Sequence, residues 1–95
     1  MKLSDKDLKN IEKYAALFFT FKQIAILIDA DIDEFITAVT DQKSNVFRAY
    51  QKGKLMKEAE IREQIIKMAE MGSPAAQDQA LKLINKLKIE NIADA

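Results

Sequence analysis

Cysteine, histidine and tryptophan are absent from this 95-residue chain, and it holds only two Gly and one Pro. Without Cys or His there is no zinc centre built on those ligands, no haem ligation by them, no thiol nucleophile and no Ser-His-Asp triad. A disulfide framework is impossible, which leads to the expectation of a cytoplasmic protein. No run approaches the roughly 20 apolar residues of a membrane span. The charged start, Lys2 to Asp7, leads into no apolar h-region and does not read as a signal peptide. A Gly-rich phosphate loop is missing as well. Carboxylate pairs such as Glu58 and Glu63 lie in a Lys-interleaved, solvent-facing pattern. The expectation is no enzyme, no cofactor, no metal and no membrane.

Few breakers leave long uninterrupted periodic stretches. Hydrophobic residues make up 48% of the chain, enough for a modest core. Ser4 with Asp7 has the form of a capping box, and Leu8, Ile11, Tyr14 or Ala15, and Phe18 follow at spacings of three and four. They predict a first helix over 5–18. Phe18, Phe19 and Phe21 then read as core aromatics.

Thr20 with Gln23 is a second capping box, and Asp31 with Glu34 stands in matching register. Helices are expected over 21–28 and 32–42, joined by Ile28-Asp29-Ala30. That length suits a helix-turn-helix corner, with Ala25 or Ala30 as the small residue at the crossing. Ile24, Leu27 and Ile28 are expected inward on the second helix. On the third, Ile32, Phe35, Ile36 and Val39 form one face, leaving Asp33, Glu34, Thr37, Ala38 and Asp41 nearer solvent. Asp29, Asp31 and Asp33 alternate like calcium ligands, but lack the central Gly and the twelfth-position Glu. They read as caps and turn residues.

Ser44 opens a long helical pattern over 45–71. Val46, Phe47 and Tyr50 mark one side, Leu55, Met56 and Ala59 another, and Ile61, Ile65, Met68 and Ala69 return near the first. Gly53 sits where the face changes and suits a bend or a close helix approach. Gly72 fits a C′ position, and Ser73-Pro74 an N-cap with proline at the first helical position. A last helix is expected over 74–88, with Ala76, Ala80, Leu83, Ile84 and Leu87 on its apolar side and a frayed tail after Glu90. Met56, Met68 and Met71 read as core or subunit-contact residues.

The expected fold is therefore all-α. A trihelical helix-turn-helix head over 1–42 precedes an antiparallel hairpin of a long and a shorter helix over 43–95. The two-sided long helix leaves Leu55, Met56, Ala59 and Ile66 without a partner in so short a chain, and an exposed patch of that kind marks a homo-oligomer interface.

The zero net charge hides an asymmetry. Residues 1–42 carry five Lys/Arg against eight Asp/Glu, whereas 43–95 carry ten against seven. Lys43, Arg48, Lys52, Lys54 and Lys57 form a run with no acid among them, the part of the chain suited to duplex DNA. Thr37, Gln42 and Asn45 are the polar residues near it that suit base edges.

Phe21-Lys22-Gln23-Ile24-Ala25 with its short third helix, then Phe47-Arg48-Ala49-Tyr50-Gln51-Lys52-Gly53-Lys54, Glu60-Ile61-Arg62 and Met68 to Ala76, occur in an order that resembles the small terminase subunits of tailed bacteriophages and related short prophage proteins. The resemblance covers about residues 8–88. It implies a head that binds packaging-site DNA, oligomerisation through the following helices, a large terminase ATPase subunit as partner, and a bacterial host cytoplasm. Two features depart from it. The would-be recognition helix carries Asp31, Asp33, Glu34 and Asp41 with no base before Lys43, which repels phosphate. The chain is also short for that family. A protein-binding helical module that keeps the head only as scaffold is the alternative. A transcriptional repressor would want a basic or Gln/Asn-rich reading helix, which is missing.

Overall fold

A computed structural model describes residues 2–94. Among them are five α-helices and no strand: α1 Asp5–Ala16, α2 Phe21–Leu27, α3 Ile32–Thr40, α4 Asn45–Glu70 and α5 Pro74–Asp94. The expected all-α class is what is found, with helix ends one or two residues short of the expected ones for the first four.

The caps are those read from the residues. Ser4 accepts from the Asp7 N–H at 3.1 Å while the Asp7 carboxylate accepts from the Ser4 N–H. Thr20 and Gln23 make the same reciprocal pair, and Asp31 accepts from the Glu34 N–H at 2.9 Å. Each satisfies N–H groups that a first turn leaves without helical partners.

Three helices stop in one way. Past α1, the N–H groups of Phe18 and Phe19 donate to Ala15 and Tyr14; past α2, those of Asp29 and Ala30 donate to Ile26 and Ala25; past α4, those of Gly72 and Ser73 donate to Ala69 and Met68. This is the Schellman pattern, which puts its C′ residue in the left-handed region. Gly72 takes φ 96° without steric cost, but Phe18 (61°) and Asp29 (58°) take it with a Cβ.

That ending corrects the expectation for Phe18. Helix α1 terminates before it, its side chain turns outward and is 54% exposed. Phe19 and Phe21 do pack on the core.

Residues 1–58 and 59–95 form two compact units, with the boundary inside α4. The first has a core of Ile11, Ile24, Ala25, Phe35, Val39 and Val46. Ala25 is fully buried, as a small residue at a helix crossing should be. Leu27 and Ile36, expected inward, are largely exposed, because Ala25, Phe35 and Val39 already fill the space. Ala38, expected nearer solvent, is instead half-buried against the core.

The start of α4 belongs to this unit. Val46 is in the core, Ala49 and Tyr50 pack on it, and the Tyr50 and Phe21 rings meet edge-on at 4.9 Å. The unit therefore extends past the 42/43 division read from the sequence. Gly53 is buried against the backbone of Glu12 in α1. Of the two roles its position suits, close approach is the one realised.

In the second unit, α4 ends at the Gly72-Ser73 corner. The Ser73 hydroxyl accepts from the Ala76 N–H at 3.3 Å, and the Gln77 amide donates back to the Ala69 carbonyl at 3.1 Å. Ala76 is the one buried side chain among its described residues. Instead of fraying after Glu90, α5 continues to Asp94, with a Lys86–Glu90 pair one turn apart at 3.7 Å and no Gly or Pro to stop it. Ala95 lies outside the described residues. No described helix is long and apolar enough to cross a membrane.

Candidate nucleic-acid and assembly surfaces

Two open grooves of opposite character flank the α3–α4 connection. One, of about 460 Å³, is lined by Asp33, Glu34, Thr37, Ala38, Asp41, Ser44, Asn45 and Val46. The other, of about 500 Å³, is lined by Gln42, Phe47, Arg48, Gln51, Lys52 and Leu55. The Ser44 hydroxyl fixes the connection by donating to the Ala38 carbonyl while accepting from the Phe47 N–H at 3.0 Å.

The grooves divide the residues read as a DNA surface. Gln42, Arg48 and Lys52 come together. Thr37 does not join them: it lies among three carboxylates, and its hydroxyl donates to the Asp33 carbonyl at 3.0 Å. Asn45 falls on the acidic side too. Lys43 is exposed in the turn between the grooves, its backbone N–H donating to Asp41 at 3.1 Å.

The remaining bases are partly engaged. Lys52 pairs with Glu12 at 3.9 Å and Lys54 with Glu58 at 3.8 Å. The second pair is readable as an i,i+4 spacing. The first joins residues forty positions apart, so only the packing of α1 on α4 at Gly53 reveals it. Lys57 is half-buried. Pairs this exposed are weak and break readily in favour of a polyanion.

The residues read as an oligomer interface are all exposed. Leu55 and Met56 are more than half exposed, Ala59 is open, and Ile66 lines an apolar groove with Arg62, Ala80, Leu83, Ile84 and Leu87. Sequence reasoning missed Leu17, Ile26, Leu81, Ile89 and Ile92, which are also mostly exposed. Ile89 and Ile92 escaped notice because the tail was expected to fray. No group of acids that could hold a metal occurs among the described residues.

No family model, no curated protein and no solved structure matches this chain.

Proposed function

We propose that this protein binds duplex DNA as a homo-oligomer, in the manner of the phage small terminase subunits that its motif order resembles, and presents viral DNA to a large ATPase subunit in the bacterial cytoplasm. In this reading α1–α3 are a helix-turn-helix head, and α4 with α5 is the antiparallel hairpin through which copies associate. The observation that carries it is the groove that gathers Gln42, Arg48, Gln51 and Lys52 beside exposed Lys43. The contact is with phosphate rather than base edges, because α3 presents Asp33 and Glu34 where a reading helix needs donors. One copy neutralises few phosphates, so affinity depends on several copies acting together.

Duplex binding followed by fluorescence anisotropy at about 50 mM salt, where counterion release favours even non-specific contacts, tests this. The wild type binds, and Arg48→Glu with Lys52→Glu abolishes binding while helicity and oligomer size stay. An absence of wild-type binding removes the DNA reading.

The second reading is a protein-interaction module that uses the same scaffold without DNA. The acidic groove of Asp33, Glu34 and Asp41 and the pairing of Lys52 and Lys54 favour it. Under it the wild type ignores DNA but still assembles.

A further inference from the structure

Residues 59–95 form a unit of under about 40 residues, a size at which a chain needs a disulfide, a metal or association to hold its shape. Cysteine is absent from the sequence, and no metal-holding group exists among the described residues. Association is what remains. The surface asks for the same thing. Ile66, Ile84 and Leu87 line the groove between α4 and α5 and are each about half exposed, while only Ala76 is buried in the unit.

We infer that this groove seats the same groove of a second copy across a two-fold axis, closing a four-helix unit around Ile66, Ala80, Ile84 and Leu87. A second copy is the occupant because it is present whenever the chain is made, which an obligatory partner must be. It also matches in charge. Glu63 and Glu70 lie three and four residues from Ile66 on the α4 rim, and Lys88 lies four from Ile84 on the α5 rim. Residues so spaced share a helix side. A two-fold axis that lays α4 against the partner's α5 sets acid against base. Four helices with a shared apolar centre are a stable arrangement, whereas two are not.

This rests on the proposed oligomer and names its contact. The chain has no native thiol, so single cysteines report cleanly on the full-length protein. Ala80→Cys, Ile84→Cys and Leu87→Cys are made one at a time and mildly oxidised. Because a two-fold contact brings residues near the axis against themselves, at least one gives a disulfide-linked dimer in high yield. Gln79→Cys, about 140° round α5 from Ile84, gives none. Separately, Ile84→Asp with Leu87→Asp turns the wild-type oligomer into a monomer by light scattering at tens of micromolar, a range well above a specific dimer's dissociation constant.

A wild-type monomer with full helicity overturns the inference. So does an oligomer that survives the double Asp variant, or one that forms no self-disulfide at any of the three positions. The DNA assay is independent of these results. Loss of DNA binding with the symmetric contact intact removes the functional reading alone, and DNA binding by a monomer removes the contact alone.

Discussion

Gly53 of α4 rests on the backbone of Glu12 in α1. A Cβ at Gly53 would penetrate the Glu12 carbonyl oxygen and stand 2.7 Å from its carbonyl carbon and 2.9 Å from its Cα. Backbone, unlike a flexible side-chain end, cannot swing aside. The helical register that sets Val46, Ala49 and Tyr50 on the head core leads directly to this contact.

Gly53→Ala therefore destabilises the first unit by about 3 kcal/mol, the upper range for overpacking. Helix propensity alone would favour Ala by about 1 kcal/mol, so the sign of the result discriminates close approach from mere flexibility. Chemical denaturation followed by circular dichroism reads it as a lowered midpoint.

Phe18 and Gly72 occupy the same left-handed C′ position at the ends of α1 and α4. Phe18→Gly relieves a conformational cost while giving up little burial, and raises stability by about 0.5–1 kcal/mol. Gly72→Ala meets no atom within 4 Å and still destabilises by about 1 kcal/mol, purely through φ. Opposite shifts in the denaturation midpoints of the two variants check the pair.

Ser44 joins α3 to α4 through two hydrogen bonds from one hydroxyl. Ser44→Ala leaves the Phe47 N–H and the Ala38 carbonyl without it and costs about 1–2 kcal/mol, as for loss of an N-cap. Hydrogen exchange should quicken first at Phe47 and neighbouring N–H groups of the α4 start.

Glu12 holds Lys52 at 3.9 Å beside the basic groove. Glu12→Gln removes that competitor and strengthens duplex binding at low salt, and Asp33→Ala with Glu34→Ala strengthens it further by removing repulsion. Both gains shrink as salt rises, because they are electrostatic. Equal affinity of wild type and variants at about 50 mM salt contradicts a phosphate-binding role for this groove.

Helix existence, type and start were legible because they depend on neighbours three and four residues apart. Ser4 with Asp7, Thr20 with Gln23, Asp31, and Ser73-Pro74 each declare a first turn locally, and Gly72 declares an ending. Where an ending lacked glycine, as at Phe18, the same hydrogen-bond pattern formed without a local sign, and an aromatic expected in the core went to the surface. The length of α5 was misjudged for a related reason. An i,i+4 pair such as Lys86–Glu90 is local, but its small contribution becomes visible only once a helix is already there to continue.

The tertiary structure alone decided how the charges sort. Lys43, Arg48, Lys52, Lys54 and Lys57 are one run in the sequence. In space Arg48 and Lys52 share a groove with Gln42, Glu12 is drawn in from α1, and Thr37 is left among acids. A run of charge states what is available; which groups face one another depends on how the helices cross, and here Gly53 and Ala25 set the closeness of those crossings. The apolar surface divides in the same way. Periodicity marked Ile66, Ile84 and Leu87 as apolar positions at helical spacing. Their remaining half exposed was decided by the packing of α4 and α5, because two helices cannot enclose a stripe that needs neighbours on more than one side.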